Sequence, residues 1–117
     1  MKKIILIIAM SLILFSCGGN SKEVKSVKEG RLTAYPEKTL GEAIDSFMGD
    51  PEWESIEADD GNIYVNVKGS IMLHEKEVEA LIQYKVDGDY FELNALEFNG
   101  VPQNMFMYSG LIDKMYE

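Results

Sequence analysis

The chain has 117 residues, of which 26% are charged, and its 20 acidic and 11 basic residues give a formal net charge of −9. This balance argues against a nucleic-acid partner, because binding to nucleic acid relies on Lys and Arg that neutralise phosphates. A single cysteine excludes an internal disulfide, and the length allows one small domain.

The N-terminus has the layout of a secretory signal peptide. Lys2 and Lys3 precede an uncharged apolar run at residues 4–15. As a helix this run measures about 18 Å, which is short against the roughly 30 Å hydrocarbon core of a bilayer. Small residues follow the run. We therefore predict a signal peptide over residues 1–16.

The apolar run ends in Leu14-Phe15-Ser16-Cys17, which resembles the lipobox of bacterial lipoproteins. In that family the cysteine thiol receives a diacylglyceryl group and the signal is cut immediately before it. The resemblance implies that Cys17 becomes the lipidated N-terminus, anchors the chain to a membrane and leaves no free thiol. Phe15 departs from the small or β-branched residue usual at its place. The alternative is a secreted protein with an incidental cysteine.

Lipid attachment through two or more acyl chains is stable, since each buried CH₂ contributes about 0.8 kcal/mol. The expected location is the cell envelope, on the extracytoplasmic side of a membrane. Loss of residues 1–16 leaves nine basic and twenty acidic residues, a formal charge of −11. This charge argues against flat docking on anionic lipid and favours solubility.

Residues 18–29 are small, polar and charged, and only Val24 and Val27 among them are apolar. We predict that residues 17–29, the lipidated cysteine and this segment, form a flexible tether. Residues 30–117 then make one small domain that builds its core without disulfides.

The first predicted helix covers residues 39–49. Thr39 and Glu42 form a capping-box pattern, and apolar residues follow at the spacing of one helical face. Gly49 stands where a C-cap glycine would, and Pro51 prevents continuation.

Four antiparallel strands are predicted next, in two hairpins. Asp60-Gly61 and Asp87-Gly88 are two-residue turn signals, and the polar residues 74–77 are predicted to connect the hairpins. Pairing outward from each turn agrees with the apolar alternation. The predicted pairs are Ala58 with Ile63, Ile56 with Val65, Tyr84 with Phe91, Ile82 with Leu93 and Ala80 with Ala95.

A C-terminal helix is predicted over residues 103–116, because Tyr108, Leu111, Ile112, Met115 and Tyr116 fall at the spacing of one helical face. Gly110 inside it is interpreted as a point of close packing, since glycine costs roughly 1 kcal/mol relative to alanine in a helix. The order is an N-terminal helix, a four-stranded antiparallel meander and a C-terminal helix, which makes an α+β domain.

The second face of the predicted sheet carries large apolar residues among polar ones, more than a solvated face needs. Three explanations stay open: the terminal helix covers this face, it is a binding surface, or the apolar residues are scattered there without a role. Its apolar residues are Leu81, Tyr90, Leu96 and Phe98.

No catalytic, cofactor or metal site is predicted. His74 is the sole histidine, and nothing is spaced to join it in a zinc site. The acidic residues 50–60 lack the EF-hand pattern and are interpreted as a solvated edge. No pair of carboxyl groups stands out for glycosidase-type chemistry, and Trp53 is predicted to lie over the core.

From Gly30 to Glu117 the chain resembles a small uncharacterised domain of membrane-anchored or lipid-anchored bacterial proteins. Some members carry a zinc-ribbon segment or a transmembrane helix in place of a lipid, and this chain has no zinc ribbon. The resemblance implies no activity. The residues that carry it are Gly30-Arg31-Leu32, Tyr35-Pro36, Thr39-Leu40-Gly41, Ala43, Phe47, Trp53-Glu54-Ser55, Val67-Lys68-Gly69 and Leu111-Ile112-Asp113.

The expected function is that of a non-enzymatic, lipid-anchored module that binds a protein or another envelope component. One alternative is a hydrolase of envelope polymers that acts through acidic residues in a concave cleft. The other is a structural spacer without a partner. The membrane, reached through the lipid on Cys17, is the expected contact, together with an envelope protein.

Overall fold

A computed structural model describes residues 21–117, so the predicted signal peptide 1–16 and Cys17 lie outside the described residues. The strands form one antiparallel sheet in which each strand pairs with its neighbours in sequence. The predicted α+β class is confirmed, with five strands instead of four and three helices instead of two. The elements are α1 (Lys22–Glu29), α2 (Leu40–Phe47), β1 (Gly49–Glu57), β2 (Ile63–Leu73), β3 (Lys76–Asp87), β4 (Tyr90–Phe98), β5 (Val101–Pro102) and α3 (Met105–Met115).

Helix α1 lies where the sequence predicted a flexible tether. Ser21 caps it, since the side-chain oxygen accepts a hydrogen bond of 3.1 Å from the backbone N–H of Val24. Val24 and Val27, three residues apart on one helical face, are fully buried in the core. The domain boundary expected at Gly30 is therefore wrong for residues 21–29, which belong to the folded unit.

Helix α2 begins as predicted. The hydroxyl of Thr39 accepts from the backbone N–H of Glu42, and the Glu42 carboxylate accepts from the backbone N–H of Thr39 at 2.8 Å. Its end differs from the prediction, because the C-cap is the extended Met48 and Gly49 already begins β1.

The hairpin between β1 and β2 is one residue out of the predicted register. The pairs are Ser55 with Val65 and Ile56 with Tyr64, because the connection has three residues, 59–61, and ends at Gly61 with φ +89°. A shift of one residue turns every side chain of a strand to the opposite face. The small Ser55 therefore points into the core and Ile56 points away from it.

The core lies between one face of the sheet and the three helices. Alternate residues of the strands contribute to it, and all three helices add apolar residues to the same cluster, so they cover the same face. Trp53 belongs to this cluster, which confirms its predicted place, and its indole N–H donates to Asp45 at 3.0 Å. The core side chains include Val24, Leu40, Ile44, Trp53, Val65, Val67, Ile82, Tyr84, Leu96, Phe98, Leu111, Ile112 and Met115.

Two glycines differ in the space around them: Gly69 is tightly packed and Gly110 is open to solvent. A Cβ on Gly69 in β2 would lie 2.4 Å from Cγ of Met48 and 2.7 Å from the carbonyl oxygen of Gly49, so the bare backbone is needed where α2 leads into β1. A Cβ on Gly110 would meet nothing within 4 Å. The expectation that Gly110 marks close packing is therefore wrong.

Helix α3 is capped by the side chain of Asn104, which accepts from the backbone N–H of Met107 at 2.9 Å. Its C-terminal half packs into the core through Leu111, Ile112 and Met115. None of the helices described between residues 21 and 117 is long and apolar enough to cross a membrane.

Candidate binding surface

The four residues predicted to share the second face of the sheet are divided between its two faces. The predicted pairs of the second hairpin are wrong: Asp87 pairs with Tyr90 around a Gly88-Asp89 turn, so Tyr84 lies opposite Leu93 and not Phe91. Ile82 and Ala80 pair with Leu96 and Phe98 instead of Leu93 and Ala95. Gln83 lies opposite Ala95, so Asn94 is an extra residue, a β-bulge in β4. In the part of β4 that follows this bulge, the residues that would have faced away from the helices face toward them.

The inversion moves Leu96 and Phe98 to the helix-covered face, where they pair with Ile82 and Ala80. They are only 2% and 7% exposed and belong to the core. The prediction that both lie on a second face is therefore wrong. The prediction that the C-terminal helix covers that face is also wrong, because α3 packs into the same core as α1 and α2.

Leu81 and Tyr90 lie on the face that points away from the helices, which we call the open face. Leu81 is half-buried, whereas Tyr90, beside the β3–β4 turn, is 82% exposed. A row of side-chain amides crosses the open face between them: Asn94 donates to Gln83 at 2.6 Å, and Gln83 donates to Asn66 at 3.0 Å. The amides of the open face are thus bonded to one another, and the face also carries the half-buried Ile56 and Tyr64 and the exposed Met72.

The acidic residues 50–60 lie mostly in β1, which is the first strand of the sheet and therefore an edge strand. Glu52 and Glu57 are exposed there and Glu54 is half-buried. Charged residues and Pro51 on an edge discourage pairing with a further strand. Among the described residues, no group of three or more His, Asp or Glu side chains could hold a metal ion.

An open groove of about 1010 Å³ runs between α1 and α2. Its floor is fixed by Gly41, where a Cβ would lie 2.9 Å from the Cβ of Lys28. The ammonium of Lys28 lies 5.1 Å from the centre of the Trp53 ring, a cation–π contact. Three lysines and three carboxylates line the groove together, so it presents no excess of either charge.

The groups with shifted pKa values are structural. Burial raises the pKa of Tyr84 well above its usual value of 10.0, and burial also raises that of Tyr108, whose hydroxyl lies 3.0 Å from the Tyr84 hydroxyl. Burial likewise raises the pKa of Tyr116, which stacks on Tyr35 at 4.7 Å between ring centres. Hydrogen bonds from Thr39 lower the pKa of the Glu42 carboxyl below 4.5.

Six large apolar side chains between residues 21 and 117 are exposed: Met72 and Tyr90 lie on the open face, and the other four lie where β5 leads into α3. Val101, Met105, Phe106 and Met107 are 58%, 62%, 88% and 41% exposed. We call these four residues the apolar segment. Isolated exposed apolar side chains are ordinary, but a cluster of them marks a contact site.

The sequence contains a pattern that could have predicted the apolar segment but was not used in predicting the helix. Residues 105–108 are Met-Phe-Met-Tyr, and four consecutive apolar residues in a helix point in nearly all directions. The core face of α3 takes Tyr108 with Leu111 and Ile112, so Met105 and Phe106 have no core to enter.

The candidate contact site is therefore the uncharged apolar segment. Tyr84, Tyr108, Tyr116 and Glu42, whose pKa values are shifted, have structural roles. Compared with family models, with curated proteins and with solved structures, the chain matches none.

Proposed function

We propose that the protein is a lipid-anchored, extracytoplasmic binding module without a catalytic role, and that it contacts an envelope component through the apolar segment. The observation that carries this proposal is the exposure of Phe106 and its three apolar neighbours on a domain whose other large apolar side chains are mostly packed. The lipid on Cys17 is part of the proposal and is supported by the lipobox resemblance.

The charge distribution supports the apolar segment as a contact site. Residues 98–112 contain no charged side chain, a run of fifteen residues, whereas the next longest such run between residues 21 and 117 has seven, at residues 61–67. Depletion of charge together with exposed Phe and Met is typical of the centre of a protein interface or of a membrane contact.

The hydrolase alternative needs two close carboxyl groups in a cleft, one of them with a raised pKa. Within residues 21–117 the buried polar side chains are Ser21 and Ser55, and the carboxylates lie at the surface or half-buried. The capping box lowers the pKa of the Glu42 carboxyl, the opposite of the direction that a general acid needs. The geometry therefore supports binding better than hydrolysis.

The proposal is tested in two steps on the full chain expressed in a bacterium that lipidates its lipoproteins. Intact-mass measurement should show cleavage before Cys17 and an added diacylglyceryl group. A Cys17→Ala variant should leave the membrane fraction or retain its leader. An unacylated Cys17 in a soluble fraction would remove the anchor from the proposal.

The second step places a photo-crosslinking amino acid at position 106, at position 90 on the open face and at position 89. Asp89 is exposed in the β3–β4 turn and serves as the matched control. Crosslinking to envelope components should be strongest at position 106. Equal yields at 106 and 89 would refute the apolar segment as the contact, and a maximum at 90 would assign it to the open face.

A further inference from the structure

The fold leaves little chain between the predicted lipid and the domain. Helix α1 begins at Lys22, and its cap, Ser21, is only 6% exposed. Four Cα–Cα steps separate Cys17 from Ser21, which span at most about 14 Å. The smallest principal extent of the domain is 24 Å. A domain attached through Cys17 is therefore held within about 14 Å of the membrane, where one of its faces can make contact.

The charge distribution selects that face. The nine basic and twenty acidic residues of residues 21–117 give most of the surface a negative character. Carboxylates lose hydration when they approach the headgroup layer, and anionic lipids repel them. The fifteen-residue run 98–112 has no charged group to desolvate, and it presents Val101, Met105, Phe106 and Met107 to solvent.

From these two observations we infer that the occupant of the apolar segment is the lipid bilayer itself, at the boundary between headgroups and acyl chains, in the leaflet that holds the lipidated Cys17. This inference rests on the proposed function and names the envelope component as lipid. Phe106 and Met105 enter the boundary, and Val101 and Met107 flank them. The contact needs no anionic lipid, because no cation takes part in it.

The lipid and the apolar segment then act as two membrane signals on one chain. The diacylglyceryl anchor has two acyl chains and is stable by itself, so the apolar segment adds a second contact and not the attachment. The acyl anchor fixes the attachment point, and the apolar segment fixes the orientation of the domain. The acidic edge strand β1, at the opposite edge of the sheet from β5, is then held away from the membrane.

The test uses the mature lipoprotein reconstituted in phosphatidylcholine vesicles. Cys17 is the only cysteine of the chain, and its thiol is acylated in the mature protein, so a Phe106→Cys variant has one reactive thiol. An environment-sensitive fluorophore on this thiol is compared with the same label on Asp89→Cys. Both positions are exposed, so neither change removes core packing, and Trp53 emission checks the fold.

The expected result is a blue-shifted emission at position 106 and quenching by nitroxide-labelled lipids at least about threefold stronger than at position 89, because interfacial helices enter the boundary by roughly 5–10 Å. A Met105→Cys label should behave as the Phe106→Cys label does. Replacing half of the lipid with phosphatidylglycerol should not strengthen the quenching.

The possible results distinguish a failure of the proposed bilayer contact from a failure of the proposed lipid anchor. Equal quenching at positions 106 and 89, in protein that still floats with the vesicles, would overturn the lipid contact and leave the anchor intact. A blue shift without lipid quenching that grows with the protein-to-lipid ratio would assign the apolar segment to a second copy of the chain and also overturn it. Protein that does not float with the vesicles and whose intact mass shows an unacylated Cys17 would refute both the lipid anchor and the bilayer contact.

Discussion

Replacing Val24 and Val27 together with alanine tests whether α1 belongs to the folded domain. Both side chains are completely buried and lie on one face of the helix. The position of α1 limits how far the domain can lie from the proposed lipid, because a flexible segment up to residue 29 would lengthen the connection about threefold. The perturbation therefore tests the physical basis of the membrane contact as well as the fold.

The expected loss follows from the packing. Each change removes two buried carbon groups at about 0.8 kcal/mol per group, and the cavity that remains adds to this loss. Alanine returns about 0.5 kcal/mol through its higher helix propensity. The net loss is about 1.5 kcal/mol for each valine and about 3 kcal/mol for the pair. A domain of this size has about 5–15 kcal/mol of stability in total.

The assay is equilibrium unfolding of residues 18–117 in urea, followed by the emission of Trp53, which is 7% exposed in the fold. With a slope of about 1.5 kcal/mol per M urea, the midpoint should fall by about 2 M. Lys25→Ala, an exposed position of the same helix, is the control and should change stability by less than about 0.5 kcal/mol. An unchanged urea midpoint in the double variant would show that α1 is not packed in the core and would support the predicted flexible tether instead.

Three further changes test the packing and the titratable groups. Gly69→Ala should destabilise the domain by about 1–3 kcal/mol through overpacking, whereas Gly110→Ala in open space should stabilise it by about 0.5–1 kcal/mol; urea midpoints that move in the same direction would contradict the glycine geometry. The raised pKa of Tyr84 favours its neutral form in the fold, so stability should fall as the pH rises above 10.0, and less steeply in Tyr84→Phe. The lowered pKa of Glu42 makes its carboxylate stabilising above pH 4.5, a contribution lost as the pH falls through the lower folded value. Glu42→Gln should therefore show a smaller loss of stability in acid, as measured by thermal unfolding at several pH values.

Local signals in the sequence predicted their elements well. The capping box of α2 depends on residues three apart, and both of its hydrogen bonds form. The spacing of α3 predicted its core face through Leu111, Ile112 and Met115. Capping boxes and helical spacing involve residues within one or two helical turns, so they can be recognised without knowing the rest of the fold.

Strand register was harder to predict because it depends on single residues. A three-residue connection in place of a two-residue one turned Ser55 into the core and Ile56 out of it. The bulge at Asn94 did the same for Leu96 and Phe98. The apolar alternation of the predicted hairpins was consistent, yet the register of the first hairpin with one more loop residue places Trp53, Val65 and Val67 together in the core.

Helix α1 was missed because its eight residues contain only two apolar ones. A short, polar and lysine-rich helix has little stability of its own, and it forms here because tertiary packing buries both valines. A sequence reader who weighs composition alone assigns such a segment to a linker. The spacing of the valines and the serine three residues before Val24 were the signals that could have identified it.

The bulge at Asn94 connects the fold to the proposed membrane contact. Without it, Leu96 and Phe98 would point to the open face, and that face would carry the large apolar surface of the domain. With it, both residues enter the core, and the open face keeps its row of bonded amides. Four of the six exposed large apolar side chains between residues 21 and 117 are then those of the apolar segment, on a stretch without charge. One inserted residue thus removes Leu96 and Phe98 from the open face, which supports the apolar segment as the proposed membrane contact.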